Sequence, residues 1–456
     1  MMDLKKKHVV VMGAGRSGLA AAAVLVRHGA QVTLNDRKPL SELGEAALAS
    51  VAGGFALAAG GHPESLLKGC DLLVLSPGVP GNLPLVKAAR AQGLPVFSEV
   101  ELAFQLSPRR WLAVTGTNGK TTTTSLLHAM FVQANFPVLL GGNIGEALAD
   151  RVESAPAEAA VVAELSSFQL EDIRTLKPFV AVWTNQSPDH LDRHGSMEAY
   201  TAAKARIFEN MDARYHLVFN AQDPLVERLC SQSKAVHWRF ARGAEVPVGA
   251  WEKGGTLWLR EPGSQARALL PLEQLRLRGP HNLENALAAA CAAAAFGLPD
   301  DAVARTLREF AGVEHRLEEC GSVRGVRFVN DSKGTNVDSV EKALQSFAEP
   351  VHLILGGRDK AGDFTRLDPL VRAHVKAIYS IGEAAAKVEA QLKGAAPIQS
   401  CGTLPIAMRQ ALAAAAPGEW VLLSPGCASF DQFKNYEQRG RVFKEEVARL
   451  AAEGKP

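Results

Sequence analysis

The stretch WLAVTGTNGKTTTTSLLHAM, Trp111 to Met130, constrains the fold of this chain more than any other. A β-forming apolar run enters a glycine turn, and a segment of helical pattern follows at once, which is a strand–loop–helix unit of the α/β class. In such a loop the backbone N–H groups of Gly116, Thr117, Asn118 and Gly119 can cradle phosphate oxygens. The ammonium of Lys120 can reach the β and γ oxygens, and Thr121 brings a hydroxyl suited to Mg²⁺. The strict pattern G-x-x-x-x-G-K-[ST] would need glycine at Val114; the shortened loop keeps every group the chemistry uses. A plain glycine turn with a solvated lysine is the competing explanation.

A second glycine loop opens the chain. HVVVMGAGRSGLAAAAVL, His8 to Leu25, sets Gly13, Gly15 and Gly18 in G-x-G-x-x-G spacing between an apolar run and a helical segment. Asp36 ends the next apolar run, near where a dinucleotide fold keeps its ribose-binding acid. Alone, this would suggest an NAD-dependent dehydrogenase. Beside a triphosphate loop it does not, because one nucleotide must be fuel and little room is left for a hydride-acceptor site.

Apolar runs alternate with helical patterns almost throughout, which predicts open parallel sheets. HVVVMG, QVTLND and DLLVLSPG mark a first block that closes near Ser107 and Pro108; WLAVTG, AAVVAELSS and FVAVWTN mark a second; RFVNDS, VHLILGG, AIYSIG and WVLLSPG mark a third from Val313. The expected fold is α/β with three domains: Rossmann-like over 1–108, P-loop-type and ATP-binding over 109–312, and Rossmann-like over 313–456. Pro247 to Arg278, poor in helix pattern, reads as a small antiparallel insertion.

Composition narrows the function. With 456 residues, 47% hydrophobic and 21% charged, the chain has room for two to three domains. Its net charge of +2 comes without long blocks of one sign, so nothing marks a nucleic-acid or anionic-membrane partner. Lys5, Lys6 and Lys7 before Val9 imitate a signal peptide, but Arg16 breaks the apolar run. The longest apolar run, Ala286 to Phe296, covers about half of the roughly 20 residues a membrane span needs. Six scattered cysteines, Cys70, Cys230, Cys291, Cys320, Cys401 and Cys427, show no metal spacing and read as reduced thiols of a cytoplasmic protein.

Several loops are rich in chemistry. Glu164 ends the strand AAVVA, where an acid can hold Mg²⁺ beside a phosphate loop or cap the following helix. TNQSPDHLDRHG gathers Asp189, His190, Asp192, Arg193 and His194. Lys204 lies in a helical pattern with Tyr200 and Phe208 four residues to either side; by composition alone it would be solvated. In HNLENALAAAC, Asn282 is placed to cap a helix and Asn285, three residues on, to meet a ligand's polar edge. EHRLE supplies Arg316, and NDSKGTN supplies Asp331, Ser332, Lys333 and Thr335. GGRDKAGDF (Gly356 to Phe364) and SPGCASFDQFKNYEQRG (Ser424 to Gly440) offer donors suited to a small anionic substrate.

With GTNGKTT, Glu164, His190, HNxxN, Arg316 and Asp331 taken together, the chain resembles the Mur ligases, the ATP-dependent amino-acid ligases of peptidoglycan precursor synthesis, over essentially its whole length. Their superfamily also holds the folylpolyglutamate synthetases. GAGRSG, SPGVP at Ser76 to Pro80, GGRDKAGDF and SPGCASFDQFKNYEQRG are similar to those of the members that add D-glutamate. The resemblance implies that ATP phosphorylates the carboxylate of a UDP-muramoyl-alanine substrate, and that the amine of D-glutamate then displaces phosphate. It implies catalytic roles for Lys120, Glu164, His190 and Lys204. Two Mg²⁺ ions would be held by Thr121, Glu164, His190 and a CO₂-carbamylated Lys204.

The same resemblance assigns ATP to Gly116 to Thr122, with Asn282, Asn285, Arg316 and Asp331. It gives the UDP-sugar to Arg16 and Ser17 of the first loop, to Asp36 and Arg37, and to Ser76, Pro77 and Gly78. Asn143 and Gln169 would hold the muramoyl-alanine portion. Thr335, Lys360, Ser429 and Tyr436 would receive D-glutamate, although the family is associated with Phe at Tyr436. A diaminopimelate-adding member would show an Asn-Pro-Arg-like motif in the third block, and none is present. A non-catalytic nucleotide-binding regulator would have lost Lys120, Glu164 or Lys204, and all three are intact. The expected partners are small molecules only, and the expected state is a monomer in the cytoplasm.

Overall fold

The computed structural model describes residues 2–44, 54–107, 109–277, 279–359 and 361–453. Three sheets carry the chain, and each is built from the apolar runs that mark its block. The first has five parallel strands in the order Ala56–Ala59, Gln31–Asp36, His8–Met12, Leu72–Leu75, Val96–Ser98. Its central strand His8–Met12 and the neighbouring Leu72–Leu75 are almost wholly buried, as a strand covered on both faces must be.

The second sheet has nine strands. Trp111–Thr115 lies between Ala160–Glu164 and Val180–Trp183, all parallel, so the glycine loop leaves the sheet from an inner strand. Val138–Gly142 closes one edge beside Ala160–Glu164. On the other side the sheet continues through His216–Asn220 and Val236–Arg242 into Gly249–Lys253, Thr256–Arg260 and Arg267–Pro271. Each of the last three is antiparallel to the next, as the composition of Pro247 to Arg278 suggests. They extend the central sheet, however, because Gly249–Lys253 pairs in parallel with Val236–Arg242.

The third sheet has six strands in the order Glu318–Val323, Val326–Asn330, Trp420–Leu423, Val351–Gly356, Val375–Ile381, Ile398–Gly402. Only its edge strand Glu318–Val323 is antiparallel. Two compact units result. One comprises Met1–Leu275 with Glu284–Glu309, the other Arg276–Leu283 with Phe310–Pro456.

The first two sheets share a unit because their cores merge: Val100, Leu102 and Ala103 are fully buried in one cluster with Leu148, Ala149 and Leu170. Carboxylates reinforce the join. Glu101 accepts from the N–H of Thr175 and of Leu176, each at 2.9 Å, and Glu99 from the N–H of Ala149 at 2.6 Å. Burial pushes the Glu99 carboxyl up to about 7.

Candidate active site

The loop 116–119 needs glycine at both ends. Gly116 has φ +144° and Gly119 φ +82°; a Cβ on the first would run into Thr184, and one on the second into Asn285. The loop is strapped to the end of the neighbouring strand. Asn118 N–H donates to Asn185 Oδ1 at 2.9 Å, Thr184 Oγ1 to Asn118 O at 2.7 Å, and Thr117 Oγ1 to Ser187 O at 3.0 Å. Such bonds hold the cradle open before anything binds.

Lys120 opens the helix Lys120–Gln133, and its Nζ donates back to Gly116 O at 2.9 Å and Thr117 O at 2.8 Å. Thr121 and Thr122, in the same first turn, are buried. Lys204 meets Lys120 at the loop: its Nζ donates to Gly116 O at 2.6 Å and lies 4.5 Å from the centre of the Tyr200 ring. The side chain is 1% exposed, so it is not the solvated lysine that composition suggests. Burial, and next the charge of Lys120, hold its pKa well below the usual lysine value, while Asp189 and Glu164 oppose them. The helix Met197–Ala205 continues into a 3₁₀ turn, Arg206–Phe208, and the ring of Phe208 lies 6.2 Å from that of Trp183.

Glu164 ends its strand 1% exposed. Its Oε1 accepts from Asn143 Nδ2 at 2.7 Å, and its backbone oxygen accepts from Asn143 N–H at 2.8 Å. His190, at φ +53°, sets its Nε2 3.7 Å from Asp189 and its ring edge against Phe168. Gln169 belongs to a capping box with Ser166 that uses its Oε1. Among the described residues its Nε2 is buried without a hydrogen-bond partner. Asn285 faces Gly119. The helix runs Pro280–Phe296, so Asn282 lies in its first turn; the carbonyl of Gly279 accepts there in the capping role expected of Asn282.

A cavity of about 490 Å³ opens at the carboxyl ends of the first sheet. Its walls bring together Arg16, Ser17, Asp36, Arg37, Ser76, Pro77, Gly78 and Asn143, with Lys38 and His62, which sequence reasoning missed. Both Asp36 oxygens accept backbone N–H groups, Ala14 at 2.8 Å and Lys38 at 2.9 Å, so the acid also pins the glycine turn to its strand.

In the other unit Asp331 is buried, accepts from Ser424 Oγ at 2.8 Å, and is raised by burial to about 6 despite the nearby Arg316. Among the described residues, the buried Arg316 Nε has no hydrogen-bond partner. Arg439, which the sequence did not single out, donates to Ser332 O at 2.8 Å, Cys427 O at 3.1 Å and Ser332 Oγ at 3.0 Å. It thereby laces the loops of Thr335 and Ser429 together. Tyr436 opens the helix Tyr436–Glu453, with the Lys333 ammonium 5.5 Å from the centre of its ring. Lys360 lies outside the described residues. Among the described residues, Glu314, His315 and Glu318 also bring three ligand atoms within 4.8 Å, but Lys444 already pairs with both acids.

The geometry of the central loop suits a magnesium nucleoside triphosphate: a glycine cradle with no space for a Cβ, a lysine in its first helical turn, and oxygen donors from Thr121 and Glu164. A model of the Mur ligase middle domain matches residues 114–293. The Mur ligase glutamate ligase domain matches residues 315–427, and the N-terminal domain of MurD-like Mur ligases matches residues 7–98. The UDP-N-acetylmuramoylalanine–D-glutamate ligase of Acidobacterium capsulatum is 46% identical over 447 residues, spanning 98% of this chain and 97% of that one. The chain belongs to the Mur ligase family. Its identity to the Koribacter versatilis enzyme of the same name is 43% over 455 residues, with all of both chains covered.

Solved Mur ligases show the same fold. The UDP-N-acetylmuramate–alanine ligase of Thermotoga maritima superposes with a TM-score of 0.60 at 19% identity, covering 97% of this chain and 99% of that one. The MurF ligase of the same organism, solved with ADP, gives 0.61 at 16% identity, covering 98% and 100%. No helix among the described residues of this Mur ligase is long and apolar enough to cross a membrane, and its six cysteines are free.

Proposed function

We propose that this Mur ligase joins D-glutamate to UDP-N-acetylmuramoyl-L-alanine, converting ATP to ADP and phosphate, as a monomer in the cytoplasm. The reading rests above all on identity of 43–46% across the full length of D-glutamate ligases. In the first step an oxygen of the substrate carboxylate attacks the γ-phosphorus, the bond to ADP breaks, and an acyl phosphate forms. In the second the amine of D-glutamate attacks the acyl carbon, the tetrahedral intermediate expels phosphate, and the nitrogen loses a proton.

Negative charge gathers on phosphoryl oxygens and then on the acyl oxygen. Lys120 and the N–H groups of 116–119 meet the first. Thr121, Glu164, His190 and carbamylated Lys204 would hold two Mg²⁺ ions, which supply Lewis-acid neutralisation of the same oxygens. A carbamate forms only on a neutral amine, and burial beside Lys120 favours that form of Lys204. Asn143, oriented by Glu164, and the unpartnered Nε2 of Gln169 are donors for the muramoyl-alanine portion. The cavity of the first sheet takes the UDP end. Asn282, Asn285, Arg316 and Asp331 bind ATP, and Thr335, Lys360, Ser429 and Tyr436 bind D-glutamate.

Oxygen-18 in the substrate carboxylate tests the route, since an acyl phosphate passes one of those oxygens to the released phosphate. Label found in phosphate is the expected result; unlabelled phosphate alongside labelled product would exclude it.

A further inference from the structure

The cavity at the first sheet contains one ring whose hydrogen-bond polarity is dictated by its neighbours. Asn35, fully buried on the strand Gln31–Asp36, donates through Nδ2 to Ala58 O at 2.8 Å and to Gly61 O at 2.7 Å. Carbonyl oxygens only accept, so this amide cannot be turned over, and its Oδ1 must face Nδ1 of His62, 2.5 Å away. An amide oxygen also only accepts, so neutral His62 carries its proton on Nδ1. The lone pair is left on Nε2, across the ring from buried Asn35, on a side chain that lines the cavity.

We propose that His62 Nε2 is a nucleoside-reading acceptor, which takes a hydrogen bond from a donor of the uridine half of the UDP-linked substrate. The inference rests on the reading that this cavity takes the UDP end. Uridine offers two kinds of donor, the imide N3–H of the base and the hydroxyls of the ribose. Among its basic neighbours Arg37 and Lys38 only donate, while each Asp36 oxygen already accepts one backbone N–H and keeps a lone pair for a second donor of the same nucleoside. A cytosine ring, with a lone pair at N3, would set acceptor against acceptor, a mismatch that costs more than the loss of one contact.

Two substitutions separate recognition from support. His62→Asn keeps an amide nitrogen where Nδ1 meets Asn35 but removes the acceptor at Nε2; His62→Gln restores an amide oxygen near the Nε2 position. Calorimetric titration with UDP, CDP, 3-methyl-UDP and 2′- and 3′-deoxy-UDP reads the contact, with melting temperature and ATP affinity as controls. UDP binding should weaken about tenfold in His62→Asn, the size of one hydrogen bond to a ligand, and return to within about threefold of wild type in His62→Gln. If the base is the donor, wild type discriminates against CDP and 3-methyl-UDP and His62→Asn does not; if the ribose is, the deoxy ligands show that pattern. Wild-type UDP affinity in His62→Asn, or an equal loss for every ligand, overturns the assignment and leaves the cavity reading standing. A wild-type protein that does not bind UDP overturns both.

Discussion

Lys204 and Lys120 donate to the same oxygen, the carbonyl of Gly116, at 2.6 and 2.9 Å. Two ammonium groups on one acceptor repel, and only Lys204 is fully buried, so Lys204 is the one driven toward the neutral amine. The shift is toward the form that reacts with CO₂, at the loop proposed to cradle phosphate.

Lys204→Ala should reduce turnover by about a hundredfold or more, the scale of a lost metal ligand, with the fold intact. Acetate or propionate in the assay should restore part of the activity by standing in for the carbamate. Steady-state rates with and without the short acid, together with a melting curve, check this. Unchanged activity in the variant would refute the carbamate.

Gly119→Ala tests the cradle. Its methyl group would lie on the Asn285 side chain at φ +82°, a conformation that costs a residue with a Cβ about 1 kcal/mol. Global stability should fall by about that amount. ATP turnover should fall by about a hundredfold, because N–H groups displaced by a fraction of an ångström no longer meet the phosphate oxygens. Parallel, small losses in both would mean that the loop does not hold phosphate.

Asp331 links pH to stability. Burial raises its carboxyl from the ordinary 3.8 to about 6, so the folded protein keeps a proton that the unfolded chain has released. The contribution of this group is fully present below pH 3.8 and is lost as the pH rises through about 6. Asp331→Asn should therefore raise stability at pH 7.5 by roughly 2–3 kcal/mol over wild type and by much less at pH 4.5, measured by urea unfolding. It should at the same time weaken ATP use, if the carboxylate serves the nucleotide. Equal effects at both pH values would mean that the carboxyl is not perturbed.

The frame was legible wherever a strand is buried on both faces. Trp111–Thr115 and Ala160–Glu164 are continuous apolar runs that end in a glycine or an acid, and they need no long-range information to be seen. Val96–Ser98, with three residues, and Glu318–Val323, half exposed at an edge, carry no such run. The affiliation of Gly249–Lys253 depends on pairing with Val236–Arg242, which local pattern does not encode. At the site, residue types at strand ends pointed to the cradle, Glu164 and Asp331. His62 was hidden because its meaning depends on the amide orientation of Asn35, and Arg439 because nothing in a helical pattern tells a buried arginine from a solvated one.

The most direct measurement is phosphate release from ATP in the presence of UDP-N-acetylmuramoyl-L-alanine and one amino acid at a time. The account predicts rapid release with D-glutamate, and at most a few per cent of that rate with L-glutamate, meso-diaminopimelate or no amino acid. Comparable rates with L-glutamate or meso-diaminopimelate would contradict it.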